Sequence, residues 1–274
     1  MKFANLGHAL TVASCSDTGI VRAHNEDAVF VDAELGVAIL ADGMGGYNAG
    51  EVASGMATTL LAASFTRLLP QCDDAMLAAA GGPAQLLADE VCAANAAIFN
   101  TSQSQAQCAG MGTTLVLAWF LGRRLYIGHV GDSRLYRLRG DDFQQLTKDH
   151  SLLQEQLDSG MISVEEARFS ENKNLVTRAL GVEPEVDVEV HEHDVQGGDI
   201  ILLCSDGLND MVDDEEIAEI IRRFGANPAL AATLLVETAN DNGGRDNTSV
   251  VLMKVAGNYA APVRWWQKLL ALLK

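Results

Sequence analysis

The sequence has few cations for its length. Its 274 residues include 19 Lys and Arg against 37 Asp and Glu, which gives a formal net charge of −18 and a pI of about 4.6. A surface this acidic excludes unassisted binding to nucleic acid, because the phosphates would be repelled. The same surplus of carboxylates is compatible with a soluble protein, and with one that gathers carboxylates to hold cations.

Paired cysteines and long apolar runs are also missing. The five cysteines are scattered without a C-x-x-C pair, and their odd number favours reduced thiols over a disulfide framework. No segment reaches the roughly 18 uninterrupted apolar residues of a membrane-spanning helix. With 48% hydrophobic residues the chain can bury a full core, so a wholly disordered protein is excluded. We therefore expect a folded cytoplasmic protein, and we expect a monomer.

Short apolar runs separated by turn residues predict a mixture of strands and helices. Strands are predicted at 9–13, 28–31, 37–41, 113–120, 125–130, 133–139, 200–204 and 249–255. Helices are predicted at 50–69, 84–100, 151–159, 214–224 and 228–240. Residues 122–124 and 131–132 are interpreted as hairpin turns, so much of the sheet should be antiparallel.

The order of these segments predicts the fold class. Helices do not follow every strand, which disfavours a doubly wound parallel sheet. We expect an α+β fold, a four-layer sandwich in which two mostly antiparallel sheets pack face to face with helices on both outer faces. Residues 1–256 should form one domain with a polar, irregular flap at about 150–180, and residues 257–274 should form an appended tail.

Acidic residues stand repeatedly at the ends of predicted strands, often followed by glycine. Crowded carboxylates repel one another unless cations neutralise them, and hard oxygen ligands suit Mg or Mn better than Zn. One aspartate shared by two ions about 3.5–4 Å apart would form a two-metal hydrolytic site. Any single Asp-Gly is equally well explained as a turn, but the repetition favours a metal site. The acids concerned are Glu26, Asp27, Asp42, Asp132, Asp206 and Asp246.

Six motifs occur in a fixed order along the chain: RxxNED, ADGMGG with a following GE, GTT, GDSR, SDGL and GRDN. In this order and spacing the chain resembles the metal-dependent protein phosphatases of type 2C, in their bacterial form. The resemblance covers about residues 14–255. It implies a β-sandwich flanked by helices, and hydrolysis of phosphoserine and phosphothreonine in proteins by a water activated at a two-metal Mn or Mg centre. Such an enzyme would reverse a Ser/Thr kinase in signalling.

The same resemblance implies roles for individual residues. Arg22 corresponds to the arginine that grips the substrate phosphate, and its planar guanidinium suits bidentate binding of phosphate oxygens. The remaining residues would be metal ligands: Asp42 bridging two ions, the Gly43 carbonyl as an added ligand, Asp206 and Asp246 on the first-metal side, Glu26 and Asp27 at the second ion, directly or through water, and Asp132 with Asp206 at a third ion.

The chain departs from the family pattern where a general acid is expected. Many relatives have histidine where Met44 or Tyr47 stands here, and a serine alkoxide leaves poorly unless it is protonated. Tyr47, His24 and metal-bound water are the alternatives. The flap also has Phe-Ser-Glu at 169–171 where relatives often have His-Pro, so the substrate preference does not carry over.

Other enzyme classes lack their signatures here. No cysteine is followed six positions later by arginine, no strand ends in Asp-x-Asp, and no G-x-x-x-x-G-K-[ST] loop is present. A phosphoprotein-binding or metal-binding regulator on the same fold is the alternative function, and the complete acid set favours catalysis. Outside the metal-ligand set, His129 and His150 are interpreted as structural, His191 and His193 as an exposed polar face, and Cys204 as a small buried residue.

The segment RWWQKLLALLK near the C-terminus predicts an amphipathic helix with three positive side chains and no negative one. Three roles are open for it: docking on the acidic domain, binding a partner such as the cognate kinase or its scaffold, or anchoring at a membrane surface.

Overall fold

The computed structural model describes residues 6–46, 49–167, 175–257 and 259. Its strands are β1 (Leu10–Asp17), β2 (Asp27–Asp32), β3 (Val37–Met44), β4 (Gly112–Thr113), β5 (Leu115–Leu121), β6 (Arg124–Val130), β7 (Arg134–Arg139), β8 (Asp142–Gln145), β9 (Glu189–Asp194), β10 (Ile200–Cys204) and β11 (Thr248–Val255). Its helices are α1 (Ala49–Leu68), α2 (Asp74–Ala79), α3 (Pro83–Ser104), α4 (Leu152–Asp158), α5 (Val164–Ala167), α6 (Asp206–Asn209), α7 (Asp214–Phe224) and α8 (Pro228–Asp241). Short 3₁₀ turns lie at Leu69–Gln71 and Ala106–Cys108.

The strands form two sheets. One has the order β1-β11-β10-β7-β8, and the other has the order β2-β3-β5-β6-β9 with β4 beside β3. Neighbouring strands in the described ranges pair antiparallel. The expected antiparallel sandwich is confirmed.

Alternation along β3 shows how the layers are separated. Ala38 and Leu40 pack in the core between the two sheets, whereas Val37 and Ile39 pack on the opposite face beneath α1 and α3. All four side chains are fully buried, which is why the strand is an unbroken apolar run in the sequence. Burying one side chain of the size of Leu or Ile stabilises the fold by roughly 1.5–3 kcal/mol.

Helices cover both outer faces. Phe65 of α1 stacks edge-on against Trp119 of β5, with 5.5 Å between ring centroids. On the other side, Ile217 of α7 and Leu235 of α8 pack against the sheet that contains β7, β10 and β11. The segment Ala49–Gln71 is long and apolar enough to cross a membrane by length and composition alone, but one side of it is part of this core.

Two helix starts follow from capping residues in the sequence. The Asp213 side chain accepts a hydrogen bond from the Glu216 amide at the start of α7, and Asn227 does the same for Leu230 at the start of α8. Each cap satisfies one of the free amides of a first helical turn. The predicted starts at 214 and 228 are confirmed.

The prediction of a hairpin at 131–132 is wrong. Strand β6 lies in one sheet and β7 in the other, so residues 131–133 cross between the sheets. Gly131 has φ +108°, and a Cβ there would lie 2.7 Å from Thr114 Cβ, so the crossing needs glycine. The turn at 122–123 does join paired strands. The sequence predictions also omitted β8, β9, α2, α5 and α6.

Candidate active site

A cavity of about 230 Å³ lies at one end of the sandwich. Most of the residues selected from the sequence line it, although Arg22 and Asp246 are 224 positions apart in numbering. Asp27 is the exception among the proposed ligands, and it lies directly opposite Asp42 in the β2–β3 ladder. The lining residues are Arg22, Glu26, Asp42, Gly43, Met44, Gly45, Thr114, Asp132, Val176, Asp206, Asp246 and Asn247.

Strand pairing brings the acids together. Asp42 lies near the end of β3, Asp206 lies two residues after β10 as the first residue of α6, and Asp246 lies two residues before β11. Because β10 and β11 are antiparallel neighbours, the end of one and the start of the other share an edge. Asp132 reaches the same edge from the crossing between sheets.

Burial and mutual repulsion disfavour the ionised form of these carboxyl groups. Burial, followed by the charges of the neighbouring aspartates, raises the pKa of Asp42 and of Asp206 well above the ordinary range. Burial is the main cause that raises the pKa of Asp27 and of Asp132 to about 6. In Asp27 the hydroxyls of nearby serines partly offset that effect. Such a cluster is stable in its charged form only when cations neutralise it.

Three carboxylate oxygens of the cluster receive no hydrogen bond from the described protein atoms. Glu26 Oε1, Asp27 Oδ1 and Asp206 Oδ1 are buried and have no hydrogen-bond partner in the part of the chain that the structure describes. A buried acceptor without a partner is costly, and anionic oxygens are the ligands preferred by Mg and Mn. The donor set therefore fits a hard divalent cation.

Hydroxyl groups hold two of these acids in place. Ser205 Oγ donates to Asp27 Oδ2 at 2.8 Å and accepts from the Ser249 amide at 2.9 Å. Thr114 Oγ1 accepts from the Asp42 amide at 3.0 Å and is 2.7 Å from Ser133 Oγ. These contacts connect the two sheets directly beneath the cavity.

Asn247 is a site residue to which the sequence assigned no role. Its Oδ1 accepts from the Glu26 amide at 2.8 Å, and its Nδ2 donates to the carbonyls of Thr18 and His24 at 2.9 and 3.0 Å. It therefore ties the loop that carries Glu26 to the start of β11. The only signal in the sequence was its place in the GRDN motif.

Close packing explains two glycines of the second motif. A Cβ on Gly43 would lie 2.2 Å from the Gly50 carbonyl oxygen, and a Cβ on Gly50 would lie 2.8 Å from Glu26 Oε1. The start of α1 thus lies directly against β3 and the Glu26 carboxylate. Any larger residue at either position would displace one of these groups.

Arg22 lies at the rim of the cavity. Its Nη2 is 2.6 Å from Asp246 Oδ2, and half of its side chain is exposed. The His24 side chain is also half exposed, with Nε2 3.5 Å from Glu26 Oε1, and it is not among the lining residues. Tyr47, the flap residues 169–171 and nearly all of the tail 257–274 lie outside the described residues.

The other residues selected from the sequence lie apart from the cavity. His191 and His193 are on β9, with ring centroids 6.1 Å apart, and His191 Nε2 is 2.6 Å from Glu189 Oε1. Cys204 is fully buried in β10, and burial raises the pKa of its thiol to about 12. A thiol of that kind is unreactive at neutral pH.

Comparisons with known proteins agree with this geometry. The sequence profile of the family described as "Protein phosphatase 2C" matches residues 19–240. The serine/threonine phosphatase Stp of Listeria innocua serovar 6a is 39% identical over 242 residues, which are 87% of this chain and 93% of that protein. The serine/threonine protein phosphatase PstP of Mycobacterium tuberculosis is 41% identical over 247 residues, 90% of this chain and 45% of that protein.

Solved structures give the same result. A crystal structure of the catalytic domain of the serine/threonine protein phosphatase PstP in complex with two manganese ions superposes with a TM-score of 0.78. The two sequences are 39% identical, and the match covers 90% of this chain and 99% of that chain.

Proposed function

Because the chain belongs to the protein phosphatase 2C family, we propose that the cavity at the end of the sandwich is the active site of a metal-dependent protein serine/threonine phosphatase. The observation that carries this assignment is the group of buried carboxylates whose oxygens lack partners among the described residues. A regulator that only binds phosphoproteins has no need for such a costly cluster, so the alternative function is disfavoured.

The assignment of ligands follows from the lining of the cavity. Divalent ions held there would supply an acidified water as the nucleophile and positive charge for the phosphate oxygens. The residues that would hold them are Asp42 with the Gly43 carbonyl as an added ligand, Asp206 and Asp246 at a first ion, Glu26 and Asp27 at a second, and Asp132 with Asp206 at a third.

Arg22 is proposed as the phosphate-binding residue. Its guanidinium lies at the cavity rim, held by Asp246 at 2.6 Å and open to solvent on its other side. A phosphate dianion offers paired oxygens to the free edge of the guanidinium, and charge that builds up on those oxygens during in-line displacement would be stabilised there. The pair with Asp246 keeps the side chain directed into the cavity before substrate arrives.

The proton for the leaving seryl oxygen is assigned to water rather than to a side chain. His24 is half exposed and does not line the cavity, which supports this assignment. Tyr47 lies outside the described residues, so only its substitution can test it.

The proposed function is tested by phosphate release from a phosphothreonine peptide and a phosphoserine peptide. EDTA should abolish turnover, and Mn or Mg should restore it. Asp246→Asn should lower the rate at least a hundredfold, whereas Asp89→Asn, the same change at an exposed position of α3, should not. Full turnover in metal-free buffer, or an active Asp246→Asn enzyme, would refute the assignment.

The finer statements on partners are also proposals. We propose that residues 1–256 form the catalytic domain and act as a monomer in the cytoplasm on phosphoproteins of a cognate Ser/Thr kinase system. The relatives named as serine/threonine phosphatases support the proposal that the substrates are phosphoproteins. Phosphoproteomes compared with and without the gene would identify the substrates, and light scattering would measure the mass.

For the basic tail we propose docking on the acidic domain, because the tail carries three positive charges in a chain whose total net charge is −18. Deletion of residues 261–274 should then lower the melting temperature. If stability and turnover of p-nitrophenyl phosphate persist and only the physiological substrate or membrane association is lost, the tail binds a partner or a membrane instead.

A further inference from the structure

The crossing between the two sheets carries Asp132 into the cavity. On one side the crossing is held through Ser133, whose Oγ lies 2.7 Å from the Thr114 hydroxyl. At Gly131 the backbone has a φ of +108°, a conformation that glycine adopts freely. The position of Asp132, the next residue, therefore depends on the contacts that hold Gly131.

His150 holds Gly131 on the other side. The His150 amide donates to the Gly131 carbonyl at 2.8 Å, and the Gly131 amide donates to Nδ1 of the His150 ring at 3.1 Å. Both polar groups of the glycine are thus satisfied by one residue, which is itself 6% exposed.

These contacts fix the tautomer of His150. An amide N–H can only donate, so Nδ1 must be unprotonated and the ring proton must lie on Nε2. That proton points to Glu189 Oε2 at 2.8 Å. Glu189 therefore keeps the ring in the form that accepts from Gly131.

The same residues resemble a metal-ligand set, because ligand atoms of His129, His150 and Glu189 lie within 4.8 Å of one another. Both ring nitrogens of His150 already have protein partners, however, and His129 Nε2 lies 3.0 Å from the Ser133 carbonyl. His129 Nδ1 has no partner among the described residues, but a metal bound by His150 would have to break one of that residue's two contacts. The cluster is better explained as a support for the crossing.

We propose that His150, kept in one tautomer by Glu189, is a positioning residue that holds the Gly131 amide and thereby directs Asp132 into the metal centre. This inference rests on the proposed function of the cavity. It predicts that loss of the acceptor at Nδ1, rather than loss of the ring, weakens cation binding.

Two substitutions separate these effects. In His150→Asn the amide oxygen stands where Nδ1 was and can still accept from Gly131. In His150→Gln the amide reaches toward Glu189 and leaves Gly131 without an acceptor. His150→Asn should still hold the Gly131 amide and His150→Gln should not, although both substitutions remove the imidazole.

The first measurement is hydrogen exchange of the Gly131 amide in the metal-free full chain, followed by NMR. The exchange rate should rise at least tenfold in His150→Gln and stay within threefold of the wild type in His150→Asn. Equal rates in the two variants would overturn the proposal. This readout needs neither metal nor activity, so it remains valid if the proposed function fails.

The second measurement is Mn binding by isothermal titration calorimetry. His150→Gln and Asp132→Asn should each weaken the same binding step at least tenfold, and the double variant should show no further loss. Unchanged Mn affinity in His150→Gln would overturn the proposal. Unchanged affinity in Asp132→Asn would instead refute the role of Asp132 as a ligand, which belongs to the proposed function.

A further variant covers the case in which His150→Gln does not fold. Glu189 lies on the edge strand β9 with about a third of its side chain exposed, so Glu189→Ala should be tolerated. Without Glu189 the ring proton is free to move to Nδ1. Exchange at Gly131 should then accelerate in the same direction, and an unchanged rate in this variant would also overturn the proposal.

Discussion

Replacing Asp42 with asparagine should have opposite effects on stability with and without metal. Asp42 lies among Asp27, Asp132 and Asp206, and burial with their charges raises the pKa of its carboxyl well above the ordinary range. A raised carboxyl pKa means that the charged native state is destabilised at neutral pH. Asparagine has nearly the same shape and no charge, so the metal-free variant should melt above the wild type.

The magnitudes follow from two relations. Each pKa unit by which burial and the neighbouring aspartates raise the Asp42 carboxyl costs the charged native state about 1.4 kcal/mol, so the sign of the change in the metal-free state is a gain in stability. In the wild type, Mn at 100 times its dissociation constant adds about 2.7 kcal/mol. For a chain of this size that gain raises the melting temperature by roughly 5–10 °C. The neutral amide cannot replace a carboxylate ligand, so the variant should lose most of this increase.

The assay is thermal unfolding in EDTA and in saturating Mn for the wild type, Asp42→Asn and the control Asp89→Asn. The control should follow the wild type in both buffers. The reasoning is refuted if Asp42→Asn melts below the wild type in EDTA, or if Mn stabilises it as much as it stabilises the wild type.

Three other predictions concern turnover. Arg22→Ala should raise KM for a phosphopeptide about tenfold or more, because a charge-assisted contact is worth roughly 1.5–3 kcal/mol. Arg124→Ala, at the end of β6 away from Asp132, is the control, and an unchanged KM in Arg22→Ala would exclude Arg22 from the site. Thiol alkylation should leave kcat largely intact, and inactivation under conditions that preserve the fold would contradict a mechanism without cysteine. Tyr47→Phe and His24→Gln should each keep most of kcat, and a hundredfold loss in either would identify that residue as the general acid.

The layers of the fold could be predicted because a strand that is buried on both faces is a continuous apolar run in the sequence. The strands around Leu40 and Leu202 are continuous apolar runs in the sequence and are fully enclosed in the structure. Strand β9 was not predicted, because it lies at a sheet edge and its sequence EVHEHD is polar except for Val190. An edge strand packs on fewer neighbours, so it needs less apolar surface.

The crossing at Gly131 shows a different limit. A glycine followed by aspartate between two strand-like runs fits a hairpin turn by every local rule. Which sheet the next strand joins depends on partners far away, since β7 pairs with β10, more than 60 residues later. The contact of Gly131 with Thr114 and its hydrogen bonds to His150 also depend on residues that local patterns do not connect.

The acids of the site could be found from the sequence because charged residues are unusual at the ends of buried strands. The residues that hold these acids, Ser205 and Asn247, are of types that are ordinary at their positions. An aspartate at the end of a buried strand is conspicuous, since burial penalises its charge. Ser205 is inconspicuous, because serine before a helix is the expected N-cap of α6. In the structure its hydroxyl makes no capping bond and donates instead to Asp27 Oδ2, across 178 positions of sequence. Asn247 reaches Glu26 across 221 positions in the same way. A residue whose type suits its local position gives no sign of its distant contact, so the supports of this site become visible only when the two sheets are assembled.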